Sequence, residues 1–170
     1  MKIETLISAD EIQGRIAELG KEIERDYGTK GEIVVVGVLK GAFMFMSDLV
    51  RHLNMPLRCD FLRVSSYDHD KNTGQVRMEF DLTQPIVGSD VLLVEDIVDS
   101  GNTLRYLLEH LHAKKPKSLK VASLLYKDTG KARKLVDYVC FNVPNKYVIG
   151  YGLDSEGLYR SLPFVGVFSK

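Results

Sequence analysis

The sequence predicts an α/β protein: an open, mostly parallel twisted sheet flanked by helices. Three observations carry that expectation. Short, apolar, β-branched runs at 33–38 (IVVVGV), 91–94 (VLLV) and 119–125 (LKVASLL) suit strands buried on both faces. Segments of helical period separate them. The resulting alternation of strands and helices is the order that builds a parallel sheet, whose ligands bind outside the carboxyl ends of the strands.

The elements follow in order. Ser8 and Glu11 have capping-box spacing, and Ile12, Ile16, Leu19 and Ile23 then recur at helical intervals, predicting an amphipathic helix of about four turns that ends near Gly28. The strand at 33–38 runs into Leu39, Lys40 and Gly41, and 42–53 has the length and period of a second helix. The stretch 57–64 alternates as a strand with Leu57, Cys59 and Phe61 facing inward. Residues 65–75 (SSYDHDKNTGQ) are polar and turn-rich, which predicts a mobile loop, a lid over about 65–76 that includes Ser66 and Tyr67. After the strand at 91–94 come a helix over 103–112, a strand at 119–125 and a shorter one at 138–141. From Asn142 onward Pro144, Gly150, Gly152, Gly157 and Pro163 break the pattern. The expected organisation is one domain over 1–170, with a core at about 30–141 and a small hood from about 1–10 and 142–170.

With 170 residues and 45% hydrophobic content the chain can bury a core. Its 23 basic and 23 acidic residues cancel, so no global field points to nucleic acid or an anionic membrane. Cys59 and Cys140 are too few for a disulfide framework and sit in apolar surroundings, where buried thiols and a reducing, cytoplasmic setting are expected. Residues 1–20 carry Glu4, Asp10, Glu11 and Glu18 without a continuous apolar stretch, so no signal peptide or membrane span is expected there.

The chemistry concentrates at 91–103 (VLLVEDIVDSGNT). A strand ending at Val94 delivers Glu95, Asp96 and Asp99 to the edge where such sheets hold ligands. Ser100, Gly101, Asn102 and Thr103 then open a helix, whose unpaired amides, hydroxyls and dipole favour a phosphate, and Gly101 lets the backbone approach. Carboxylates accept from sugar hydroxyls while amides take the phosphate. A ribose 5-phosphate answers both halves. An acidic turn with a helix cap accounts for Asp99 and Ser100 but leaves Glu95 and Asp96 without a role.

That segment resembles the phosphoribosyl diphosphate signature of type I phosphoribosyltransferases, and most closely that of the hypoxanthine phosphoribosyltransferases. The stretches VGVLKGAFMFMSDLVR at 36–51, FLRVSSYD at 61–68, ASLLYKDT at 122–129 and NKYVIGYGLD at 145–154 are similar to that family in the same order. The resemblance implies purine salvage: transfer of a 5-phosphoribosyl group from phosphoribosyl diphosphate to N9 of hypoxanthine or guanine, with Mg²⁺ as cofactor and a homodimer or homotetramer as the assembly. It implies Asp99 as the catalytic acid/base. Glu95, Asp96, Asp99, Ser100, Gly101, Asn102 and Thr103 would hold ribose and 5-phosphate, and Lys40, Gly41 and Arg160 the pyrophosphate. Lys127, Tyr147, Val148 and Asp154 would form the purine site. Glu95, Asp96 and Asp154 would serve Mg²⁺, with a non-proline cis peptide expected in the Leu39, Lys40, Gly41 turn. Asn102 stands where some relatives have lysine, and Tyr147 where others have phenylalanine.

Residue chemistry adds two expectations. At the purine site, where the resemblance implies Lys127, a lysine ammonium only donates and so favours a 6-oxo group over a 6-amino group. Mg²⁺ prefers oxygen ligands, and the chain offers no Cys/His cage for zinc; His110 and His112, two apart on a helix, point apart. A rival reading is a regulator of the same fold that binds RNA through Lys114, Lys115, Lys117, Lys120, Lys131, Arg133 and Lys134. A solvated helix end accounts for those cations more simply. Neither a dinucleotide nor a P-loop fingerprint follows a strand.

Overall fold

A computed structural model describes residues 2–67 and 75–169, with Tyr67 described in its backbone alone. Among them the chain forms β1 (Lys2–Ile7), α1 (Ala9–Tyr27), β2 (Ile33–Leu39), α2 (Phe43–Val50), β3 (Leu57–Tyr67), β4 (Gln75–Phe80) and β5 (Asp90–Val98). It continues through α3 (Asn102–His112), β6 (Ser118–Lys127), β7 (Tyr138–Val143), β8 (Val148–Ile149) and β9 (Val165–Ser169). The main sheet has the order β4-β3-β2-β5-β6-β7. All its pairs are parallel except β3 with β4. A second, three-stranded sheet of order β1-β9-β8 joins the two ends of the chain.

Each face of the main sheet carries its own core. On one, Ile12, Ile16, Leu19 and Ile23 of α1 are wholly buried with Phe45 and Leu49 of α2 against Val35, Leu92 and Val94. Each such side chain stabilises the fold by roughly 1.5–3 kcal/mol. On the other, Leu104, Leu107 and Leu111 of α3 pack on Val36, Leu93 and Val121. The capping box of Ser8 and Glu11 forms as its spacing predicts, and α1 runs 19 residues, five turns rather than four, before Gly28 ends it at φ 73°.

Several expectations are corrected. The facing of β3 is reversed: Asp60 and Leu62 are buried, while Cys59 and Phe61 are exposed. Asp60 tolerates burial because its carboxylate accepts from the amides of Phe61, Thr83 and Gln84 and from the Thr83 hydroxyl. Cys59 is therefore on the surface, and only Cys140 is a buried thiol. Helix α2 stops at Val50, since the His52 and Leu53 amides turn back to Leu49 and Val50. The ends of the predicted loop are strand: Ser65, Ser66 and Tyr67 pair with Arg77, Val76 and Gln75. The rest of the expected lid, residues 68–74, lies outside the described residues. Strand β5 runs on to Val98, so Glu95 and Asp96 belong to the strand itself.

Candidate active site

At the carboxyl ends of β2 and β5 a cavity of about 250 Å³ is lined by Gly41, Glu95, Asp96, Asp99 and the start of α3, with Val38, Val64 and Val98 as apolar wall. Pairing with β2 reaches only as far as Val94, whereas β6 continues opposite Glu95 and Val98. The two carboxylates therefore sit where the sheet opens on one side. Glu95 is 5% exposed and pairs with no cation among the described residues. Burial, reinforced by the neighbouring Asp96 charge, holds its carboxyl well above the usual range. Burial likewise raises Asp96 to about 6, offset in part by the Ile97 amide and the Arg160 charge.

Helix α3 follows Gly101, whose φ of 85° suits glycine, and its first residues line the cavity, the Asn102 amide making only a long 3.5 Å contact with the Ser100 hydroxyl. Ser100, Asn102 and Thr103 line the same space, as their sequence position predicts.

The chain's second half reaches this floor through close backbone contacts. A Cβ on Gly41 would collide with the Asp96 carboxylate, and one on Gly152 with the Gly41 carbonyl. Glycine at both positions lets the two segments touch. Arg160 donates to the Gly152 carbonyl at 2.6 Å and pairs with Asp154 at 2.8 Å. Asp154 also accepts from the Gly157 amide. The Leu39–Lys40 peptide bond is cis, as expected for that turn.

Lys127, at the end of β6, places Nζ 3.4 Å from Oδ2 of Asp99. Tyr147 is 61% exposed, and its hydroxyl, which sequence alone leaves without a role, donates to the Asp154 carbonyl at 2.9 Å. The structure thus brings Gly41, Glu95, Asp96, Asp99, Ser100, Gly101, Asn102 and Thr103 around one cavity, with Lys127 joined to it through Asp99, and Arg160 and Asp154 through Gly152 and Gly41. Lys40 is exposed beside it, Val148 is buried in β8, and Ser66 is exposed on β3.

Val64, Gly152, Arg105 and Thr129 were missed as parts of this neighbourhood. Gly152 stood out as a break in pattern, but its contact with Gly41 joins residues far apart in sequence.

Of the cations weighed for an RNA surface, Lys114 pairs with Asp81, Lys117 with Asp90, and Lys120 lies over the Tyr27 ring. Arg133 donates to the Val136 carbonyl. Their partners account for them as local structure. No helix among the described residues is long and apolar enough to cross a membrane.

A family model described as phosphoribosyl transferase domain matches residues 7–156. The chain is 46% identical over 95% of its length to the bifunctional protein TilS/HprT of Listeria monocytogenes, and spans 25% of that protein's length. It is 44% identical to the hypoxanthine-guanine phosphoribosyltransferase of Dictyostelium discoideum, with 98% of this chain and 95% of that one covered. Among solved structures it is similar to a hypoxanthine-guanine phosphoribosyltransferase of Bacillus anthracis, with a TM-score of 0.92, 42% identity and 98% of each chain covered. It also matches the hypoxanthine phosphoribosyltransferase of Trypanosoma cruzi in complex with the product IMP, with a TM-score of 0.88, 44% identity, and 96% and 92% covered.

Proposed function

This chain belongs to the phosphoribosyltransferase family, and we propose that within it the chain transfers the 5-phosphoribosyl group of phosphoribosyl diphosphate to N9 of hypoxanthine, and of guanine, giving IMP or GMP and pyrophosphate. The observation that carries the choice of base is the 3.4 Å pair of Lys127 and Asp99. On a 6-oxopurine, O6 and N7 are adjacent acceptors on one edge. An ammonium and a carboxyl side by side match that edge, the lysine donating to O6 and Asp99 exchanging the proton at N7. Adenine offers a 6-amino donor there, which the lysine opposes.

The remaining roles follow from chemistry. As N9 attacks C1 of the ribose, the bond from C1 to the pyrophosphate oxygen breaks and its electron pair leaves with the pyrophosphate. Positive charge grows on the sugar and negative charge on the leaving group. Lys40, Gly41 and Arg160 take the leaving group, and the first amides of α3 with Ser100, Asn102 and Thr103 take the 5-phosphate. Glu95 and Asp96 accept from the ribose hydroxyls, Tyr147 stacks on the base, and Val148 offers backbone contacts to its edge. The sheet of β1, β8 and β9 serves as the hood that carries these last residues.

The donor set fits Mg²⁺: Glu95 and Asp96 line the cavity and would offer it carboxylate oxygens, the Arg160 charge offsetting only part of the burial of Asp96, and Asp154 is paired with that same Arg160. Among the described residues no three carboxylate, histidine or cysteine side chains converge into a metal cage, and Mg²⁺ held here would take the rest of its oxygen ligands from substrate and water. When bound, the ion neutralises charge on the diphosphate. Self-association into a homodimer or homotetramer belongs to the proposal, supported by exposed Phe43, Phe61 and Phe80 on α2, β3 and β4. Two unpaired cysteines suit a cytoplasmic setting.

The test mixes the protein with Mg²⁺, phosphoribosyl diphosphate and, separately, hypoxanthine, guanine, xanthine, adenine and orotate. Nucleotide is expected from hypoxanthine and guanine and not from adenine or orotate. Transfer to none of the five would defeat the proposal.

A further inference from the structure

Arg105 stands where a helix accommodates a cation least. It lies in the first turn of α3, where free amides and the helix dipole favour negative charge. Its guanidinium turns back instead of extending outward: Nη1 donates to the Ser100 carbonyl at 3.1 Å and Nη2 to the Lys131 carbonyl at 3.0 Å. One rigid fork thereby joins the cavity loop to the connection between β6 and β7. Two more contacts join the same segments. Thr129 Oγ1 donates to the Asp99 carbonyl at 3.2 Å. Buried Ala132 packs so closely on Gly101 that a Cβ on the glycine would come within 2.6 Å of the alanine Cβ.

These bonds decide which backbone dipoles the cavity presents. An anion site at a helix start depends on N–H groups pointing inward and carbonyl oxygens pointing away. Thr129 and Arg105 hold the carbonyls of Asp99 and Ser100, the two residues that lead into Gly101. No residue from 99 to 104 is cationic, Asn102 included, so Arg105 is also the nearest positive charge along this segment. The connection that receives the fork follows Lys127, the last residue of β6, so the same contacts tie the phosphate loop to the lysine beside Asp99.

We infer that Arg105, assisted by Thr129, is a positioning residue for the 5-phosphate: it turns the Ser100 and Asp99 carbonyls from the cavity and leaves the helix amides to bind the anion. The inference rests on the phosphoribosyl reading above and adds a residue outside the signature to it.

Calorimetry on the wild type, Arg105→Gln, Arg105→Lys and Thr129→Val tests it, with IMP and inosine as paired ligands that differ in the 5-phosphate. Arg105→Gln is expected to weaken IMP about tenfold, the scale of a lost charge-assisted hydrogen bond, and to leave inosine unchanged. Arg105→Lys keeps the charge and one arm of the fork and weakens IMP less. In steady state the KM for phosphoribosyl diphosphate rises in step while the KM for hypoxanthine holds. Equal weakening of IMP and inosine, or unchanged IMP affinity, overturns the inference. A wild type that binds IMP no better than inosine would instead bring down the phosphoribosyl reading. If Arg105→Gln does not fold, Arg105→Lys and Thr129→Val carry the same comparison.

Discussion

Lys127 Nζ lies 3.4 Å from Asp99 Oδ2, the lysine side chain 15% exposed and the aspartate 50% exposed. The two come from the ends of adjacent parallel strands, so the sheet itself sets their spacing. A donor and an acid/base group fixed side by side can meet neighbouring atoms of one ring.

Removing the donor tests base choice. Lys127→Ala is expected to lose discrimination between hypoxanthine and adenine, chiefly by slowing transfer to hypoxanthine by roughly 10- to 100-fold, the scale of a charged hydrogen bond. Relative rates on the two bases are the measurement, and an unchanged ratio refutes the role.

Removing the acid separates binding from turnover. Asp99→Asn keeps nearly the same shape and is expected to bind substrates as the wild type does while kcat falls by ~10²-fold or more. Near-normal turnover in steady-state kinetics would sink the assignment.

Close packing at the floor gives a third expectation. Because a Cβ on Gly41 would run into the Asp96 carboxylate, Gly41→Ala must displace one of them. A displacement on the order of 1 Å in such a site costs about 10²-fold in rate. Activity should fall by that order while circular dichroism retains the native spectrum; an active Gly41→Ala enzyme would show that Asp96 position does not matter.

Burial of two carboxyls makes the ligand-free protein pH-sensitive. Glu95 and Asp96 have pKa values raised on folding, so their stabilising proton binding is complete below the unfolded value of about 4 and is lost as pH rises through the folded value. Asp26 and Asp81, which folding shifts downward, act in the opposite direction. The difference between wild type and Glu95→Gln is therefore the readout. Without Mg²⁺, the variant should melt a few degrees higher near pH 8 and almost level with the wild type near pH 4. The same melting difference at both pH values contradicts the shift.

The strands at the centre of the sheet were legible in sequence because burial on both faces leaves an unbroken apolar run, as in Val34, Val35 and Val36 or Val91, Leu92 and Leu93. Strand β4 was not read, although Val76, Met78 and Phe80 alternate with polar neighbours, because it follows a polar, turn-rich stretch. The facing of β3 came out inverted because Asp60 is buried against a turn more than twenty residues away. No local pattern reports such a partner. The same holds in the site: residues 95–103 announce themselves by composition, whereas Gly152 against Gly41 and Arg105 on Lys131 depend on segments that only folding brings together.

A crystal structure with IMP bound tests most directly how the two ends of the cavity divide the work. The 5-phosphate is expected on the amides and hydroxyls of Ser100, Gly101, Asn102 and Thr103, with O6 on Lys127 and N7 facing Asp99. A phosphate bound elsewhere, or a base edge turned from Lys127 and Asp99, would contradict it.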